Sequence, residues 1–413
     1  MIWINGINMS INVFFVSCLL LVNSAVFANQ KHPLILLSID GFANSYLEKY
    51  QPKNILALST SGIRAEGLLP VYPSKTFPNH LSIVTGVYPA KHGIIHNQFY
   101  RKDLNKEYTL GAGKYNSNWL TALPIWTVAE QQGIKTGVYF WPESEAKISN
   151  ILPSYYYPYK HETPNIDRVN KLIDWLKLAQ DKRPQLLISY FSTVDSAGHM
   201  YGADSKEVKA AIEDIDQLIG LLRHKIQNEV KQQVNIILVS DHGMTVANKN
   251  IDINALIQPN DEVKIVNGQT QLFIYGNSQS SISDARSQLI SISKSISNSN
   301  SNQRYSVLLK NEFPKHWHFN DGLAIPDIII EAKPPYTFTD DKEAYGVATH
   351  GYDPLDNRSL DAIFIASGPS FKSNKTIRAF ENIHIYPMLL EVLGLKATSK
   401  IDGDINVLKP ILK

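Results

Sequence analysis

Cysteine is almost missing from this chain. Of 413 residues only Cys18 carries a thiol, and it lies in an apolar run at 13–22 (VFFVSCLLLV). If that run is removed as a leader, the mature chain has no thiol. A disulfide framework, a cysteine metal site and a thiol nucleophile are then excluded, and any metal must be held by oxygen and nitrogen. Excess charge is missing too. Forty Lys and Arg stand against 38 Asp and Glu, for a net +2, so no basic field points to a stable nucleic-acid partner. A membrane-spanning run needs roughly 20 apolar residues, and the run at 13–22 falls short.

That run reads instead as the core of a signal peptide, 1–28. Val26-Phe27-Ala28 supplies small-residue cleavage positions, and Asn29 is the first mature residue. Residues 1–12 hold no Lys or Arg, so orientation rests on the terminal amine or on a start at Met9; an uncleaved anchor is the alternative. The mature chain, 29–413, is expected to be exported, periplasmic or secreted, without a transmembrane span.

What the chain does have is a strand–helix alternation. Strand-like runs at 34–39, 136–140, 186–191 and 234–239 alternate with helix-like segments at 47–61, 167–178 and 206–225. This predicts an α/β fold with a mostly parallel sheet covered on both faces. Between 245 and 344 strand-like runs (271–275, 305–309, 326–331) surround one helical stretch near 282–292, read as a small α+β insertion. A polar run at 295–304 reads as loop. The main pattern resumes with a strand at 362–366 and a closing helix at 381–393.

Three strand ends carry chemistry. Asp40 follows LILLSI, Asp195 and His199 follow LLISYF, and Asp241 and His242 follow IILVS. In open α/β sheets the functional cleft lies beyond the carboxyl ends of the strands. Carboxylates and imidazoles gathered there suit divalent metal. Adjacent Asp241 and His242 need a tight turn to face one ion, and Gly243 permits it. With His350 added, Asp40, Asp241 and His242 could hold one ion and Asp195, His199 and His350 a second. Two such ions, roughly 3.5–4 Å apart, clamp an in-line displacement. The nucleophile must then be a hydroxyl. In Tyr72-Pro73-Ser74-Lys75-Thr76, Thr76 is the leading candidate and also a possible N-cap of the helix that follows; Ser74 is its rival.

The chain resembles the nucleotide pyrophosphatase/phosphodiesterase family of the alkaline phosphatase superfamily. The resemblance rests on Thr76-Phe77-Pro78-Asn79-His80, Gly86 with Tyr88-Pro89, His92-Gly93-Ile94-Ile95, Phe140-Trp141-Pro142 with Ser144-Glu145, and Val194-Asp195-Ser196 with Gly198-His199. It continues through Ser240-Asp241-His242-Gly243-Met244, His350-Gly351-Tyr352-Asp353 and Gly368-Pro369-Ser370-Phe371. It implies an alkaline-phosphatase-like three-layer sandwich in an exported bacterial enzyme with two Zn2+ per chain. It implies Thr76 as nucleophile and metal ligand, a phospho-threonine intermediate, and the ligand sets Asp40, Asp241, His242 and Asp195, His199, His350. It also implies that Asn97 donates to a phosphate oxygen and that Phe77, Tyr159 and Tyr190 line the nucleobase or leaving-group slot. His96 stands where the family usually has Asp. The expected activity is hydrolysis of nucleotide phosphodiester and phosphoanhydride bonds, releasing nucleoside 5′-monophosphates. The alternatives are a (lyso)phospholipid head-group phosphodiesterase with the same chemistry and an exported binding protein with an inactive site.

Overall fold

The structure is a computed structural model. It describes Met1 and residues 32–257, 261–296, 304–340 and 347–413. The signal peptide read at 1–28, and most of the polar run at 295–304, fall outside the described residues.

Eight strands form the main sheet: β1 (Leu34–Ile39), β2 (Ile63–Ala65), β3 (Thr136–Tyr139), β4 (Tyr155–Tyr157), β5 (Leu186–Phe191), β6 (Asn235–Val239), and, late in the chain, β11 (Phe364–Ser367) and β12 (Lys375–Ile377). Their order is β12-β2-β11-β6-β1-β5-β3-β4. β1 pairs in parallel with both β5 and β6, whereas β11 runs antiparallel to β6 and β2. Every residue of β1, β5 and β6 is buried. Their near-continuous apolar runs, each holding a single polar residue, reflect burial on both faces.

Two groups of helices cover this sheet. α1 (Lys53–Thr60), α3 (Asn165–Leu176) and α5 (Lys206–Glu229) form one, and α2 (Thr76–Thr85) and α7 (Ile385–Leu393) belong to the other. α5 buries Val208, Ile212, Ile215, Ile219 and Leu222 as one stripe, and Ser205 caps it by accepting from the Val208 N–H at 3.1 Å. The α/β fold matches the expectation. The helix expected at 47–61 is two, Ser45–Tyr50 and Lys53–Thr60. Pro52 lacks an N–H and disfavours helical geometry at Gln51, so the chain breaks there. Asp216 of α5 accepts from the Asn54 and Ile55 N–H groups at 2.9 and 2.8 Å and closes the open end of α1. The closing helix starts at Ile385, after a 3₁₀ turn over Asn382–His384.

The segment 263–332 builds a second sheet, fully antiparallel, in the order β7 (Val263–Asn267), β8 (Gln271–Gly276), β10 (Ile328–Ala332), β9 (Tyr305–Leu309), with α6 (Gln279–Ile296) beside it. Its faces divide by period two. Leu272, Ile274, Ile328 and Ile330 join Leu289 of α6 in one apolar cluster, while Phe273, Tyr275 and Ile329 belong to the main core.

Candidate metal-dependent active site

β1, β5 and β6 lie side by side and end together. Asp40 leaves β1. Asp195 and His199 lie one turn apart on α4 (Thr193–Tyr201), which follows β5 directly, and Asp241 and His242 leave β6. Gly41, with φ +70°, makes the close approach possible: a Cβ there would meet Asp195 Cα at 2.8 Å. Gly243 acts differently from the expected tight turn. Its φ is not left-handed, but a Cβ would meet the Ser359 carbonyl oxygen at 2.1 Å, and its N–H donates to Leu360 O at 2.8 Å. Close packing, rather than turn geometry, is what demands glycine here.

The side chains converge. His242 Nε2 lies 2.9 Å from Asp241 Oδ2, 3.4 Å from Asp40 Oδ1 and 3.3 Å from Thr76 Oγ1. Asp195 Oδ1 lies 3.4 Å from His199 Nε2 and 3.6 Å from His350 Nε2, and those two nitrogens are 3.1 Å apart. The His242 and His350 rings stack at 3.4 Å and join the two clusters. Each imidazole is turned by its other nitrogen: the Nδ1 of His199, His242 and His350 contact the carbonyls of Ala348, Gly243 and Ser74 at 3.1, 2.9 and 2.8 Å. A carbonyl can only accept, so each Nδ1 carries the proton and each Nε2 presents a lone pair to the cluster.

This donor set calls for cations. Asp40 Oδ1, Asp195 Oδ1 and Asp241 Oδ2 are buried and accept no hydrogen bond. Burial, then the charges of Asp241 and Asp195, push the Asp40 carboxyl well above its ordinary range. Burial and Asp195 push Asp241 up to about 8. Three carboxylates cannot stay ionised together in so dry a place unless positive charge joins them. The groups Asp40, Asp241, His242 and Asp195, His242, His350 each have ligand atoms within 4.8 Å of one another, so the residues fit metal.

Thr76 is the first residue of α2; Lys75 occupies the N-cap position, so Thr76 is not the cap that its place before the helix allowed. Ser74 is fully buried. Its Oγ donates to Tyr352 O at 2.8 Å and accepts from Gly351 N at 3.0 Å, which commits it to holding the His350 loop. Asn97 Oδ1 accepts from the Phe77 N–H at 3.0 Å, leaving its amide NH2 for a ligand. A cleft of about 520 Å³ opens here, lined among others by Asp40, Thr76, Phe77, Asn97, Tyr159 and Tyr190. Tyr190 also has a second part: its hydroxyl donates to Asp40 Oδ2. Of the tyrosines between 155 and 159, Tyr157 stacks on Tyr139 and Tyr155 tilts against Trp175, whereas Tyr159 lines the cleft.

Sequence reasoning missed several residues. Lys75 lines the cleft, and burial pulls its ammonium down to about 8. His80 Nδ1 donates to Thr76 O at 2.9 Å, so its Nε2 accepts from Ser38 Oγ at 2.8 Å, and Nδ1 lies 3.4 Å from Asp241 Oδ2. Glu145 accepts from the Tyr159 N–H at 3.0 Å and pairs with Lys114 at 2.8 Å, joining two walls of the cleft. Lys75, His80 and Glu145 all stand inside quoted motifs, but nothing in those motifs marked their part in the cleft.

Residues 34–353 match the family described as type I phosphodiesterase/nucleotide pyrophosphatase. The chain belongs to that family. It is 33% identical over 395 residues to ectonucleotide pyrophosphatase/phosphodiesterase family member 1 of Rattus norvegicus, covering 92% of this chain and 43% of that one. It is 33% identical over 384 residues to venom phosphodiesterase 2 of Crotalus adamanteus, covering 89% and 46%. The chain thus spans under half the length of these curated relatives. Among solved structures, murine ectonucleotide pyrophosphatase/phosphodiesterase 5 superposes with a TM-score of 0.84 at 27% identity, over 92% of this chain and all of that one. An inactive threonine-to-alanine form of the murine protein, in complex with AMP, superposes with the same TM-score at 26% identity, over 93% of this chain and all of that one. The main sheet is accordingly alkaline-phosphatase-like.

Proposed function

We propose that this chain is a two-zinc phosphodiesterase and nucleotide pyrophosphatase that releases nucleoside 5′-monophosphates. The observation that carries the reading is Thr76 Oγ1 at 3.3 Å from His242 Nε2, in a cleft lined both by the unpartnered carboxylates Asp40 and Asp195 and by the rings of Phe77, Tyr159 and Tyr190. Family membership supports it. The names of the relatives, and the AMP bound by the murine neighbour, point to nucleotides.

Asp40, Asp241 and His242 would hold one zinc ion with Thr76; Asp195, His199 and His350 would hold the other. When bound, the two ions supply Lewis-acid charge and make hydroxyl nucleophiles available at neutral pH. Thr76 Oγ1 gives its proton to solvent and attacks phosphorus in line. The Oγ1–P bond forms as the bond to the leaving group breaks, giving a phospho-threonine that still carries the nucleoside. Asn97 Nδ2 donates to a non-bridging oxygen, positioned by the Phe77 N–H on its carbonyl. Phe77 and Tyr159 offer π-faces to the base, and Tyr190 holds Asp40. Water then attacks phosphorus and Thr76 leaves with a proton, so two inversions give net retention.

Residues 245–344 are proposed as an inserted subdomain of a catalytic domain 29–413, behind a signal peptide 1–28. No helix among the described residues is long and apolar enough to cross a membrane; export to the periplasm or the medium is part of the proposal. The test is hydrolysis of p-nitrophenyl thymidine 5′-monophosphate, p-nitrophenyl phosphate and p-nitrophenyl phosphocholine by zinc-loaded protein and by Thr76→Ala. Preference for the nucleotide diester, lost in Thr76→Ala, supports the reading. Preference for phosphocholine redirects it to lipid head groups, and inactivity on all three without bound zinc overturns it.

A further inference from the structure

The second sheet meets the loops of the site at a polar cross-strand pair, beside the β7–β8 turn whose Gln269 lines the cleft. Gln271 of β8 and Glu331 of β10 are register partners. Both lie on the face that turns Phe273 and Ile329 into the main core. Apolar residues would suffice to seat that face. Gln271 is instead fully buried and Glu331 only 7% exposed, and a buried carboxylate without a cation is costly.

Their hydrogen bonds run to the two loops that carry the chemistry. Tyr72, at the start of the loop that ends in Thr76, donates its hydroxyl to Glu331 Oε2 at 2.6 Å. Gln271 Nε2 donates to Gly351 O, one residue beyond His350, at 2.7 Å. The same amide reaches Glu331 Oε1 and Oε2 at 3.1 and 3.0 Å, and Thr270 Oγ1 donates to Gln271 Oε1 at 2.8 Å. Tyr72 is also locked from its ring side, stacked on Trp317 at 3.7 Å. Ser74 joins the two loops directly, its carbonyl contacting His350 Nδ1 and its hydroxyl contacting Gly351 N and Tyr352 O, and the Lys75 side chain packs against Gly351.

We propose that Gln271 and Glu331 are positioning residues that set the His350 loop in register with the Thr76 loop. The inserted sheet is then part of the active site rather than an appendage to it. Neither side chain lines the cleft or belongs to the candidate ligand groups. They fix the backbone on which one metal ligand and the nucleophile ride, and such supporting partners typically change metal affinity or activity by about 10- to 100-fold. The proposal rests on the two-zinc reading above.

The test uses the full-length chain with Gln271→Leu, Glu331→Leu and Glu331→Gln. Gln271→Asn, whose amide is too short to reach Gly351 O, replaces Gln271→Leu should that variant fail to fold. The proposal predicts that Gln271→Leu and Glu331→Leu lower kcat about 10- to 100-fold with KM within about twofold. Chelator titration should show one of two zinc ions held at least tenfold more weakly, and Glu331→Gln, which still accepts from Tyr72, should stay within about threefold of wild type. Losses no greater than the unfolded fraction, with both zinc affinities unchanged, would overturn the positioning role. A wild-type chain without zinc or activity would instead overturn the two-zinc reading itself.

Discussion

Asp241→Asn should strengthen the metal-free protein and weaken the metal-loaded one. Asp241 is fully buried, 2.9 Å from His242 Nε2, with its other oxygen accepting from the Gly41 N–H at 3.2 Å. Burial and Asp195 push its pKa from 3.8 up to about 8. Without metal at pH 7 the fold must protonate this group or tolerate its charge, which costs on the order of 4 kcal/mol. Asparagine keeps the shape, still accepts from Gly41, and turns an NH2 toward the lone pair on His242 Nε2. The metal-free variant should therefore melt several degrees above the metal-free wild type. Zinc should reverse the order. A ligand at a thousand times its Kd adds about 4 kcal/mol, and the variant forfeits much of that for the ion held by Asp40, Asp241 and His242. The assay is thermal unfolding of both proteins in chelator and in excess zinc. A metal-free variant no more stable than wild type would refute the claim that this carboxylate is a burden the fold carries for a cation.

Other outcomes follow from the same geometry. Asn97→Ala should lower kcat/KM for the nucleotide diester about 100-fold with zinc content unchanged, because it removes a donor to the phosphate. Phe77→Ala and Tyr159→Ala should each raise KM for that diester by about 1–3 kcal/mol of lost stacking, yet leave a phosphodiester without a base nearly untouched; steady-state kinetics on the two substrates checks this. Glu331 is pushed up to about 8, chiefly by burial, so the folded chain keeps a proton there that the unfolded chain loses near pH 4.5. Its contribution to stability is fully present below pH 4.5 and is lost as pH rises to about 8, on the order of 4 kcal/mol across that window. Glu331→Gln should flatten that part of the stability–pH curve, measured by denaturant unfolding.

Much of the candidate site could be read along the chain because the proposed metal ligands sit where apolar strands of an α/β sheet stop. Asp40, Asp195 and Asp241 each follow such a run, so period and position suffice to find them. Thr76 needed the family resemblance, since composition alone left Ser74 as a rival; the structure separates them by the approach of Thr76 to His242 and by the bonds of Ser74 to Tyr352 O and Gly351 N. Gln271 and Glu331 were invisible because their meeting depends on the register of two strands about 60 residues apart. The reason for Gly243 was also hidden, because the carbonyl it must clear belongs to Ser359, far along the chain. Strands β2, β4, β7 and β12 went unread, being short or polar, while their neighbours supply the pairing that makes them strands.

The most direct test of the account is to catch the covalent step. Zinc-loaded protein mixed with p-nitrophenyl thymidine 5′-monophosphate, quenched in acid within one turnover and digested, should yield a peptide carrying a thymidylyl group on Thr76. A group found on Ser74, or steady turnover with no labelled peptide and undiminished activity in Thr76→Ala, would contradict it.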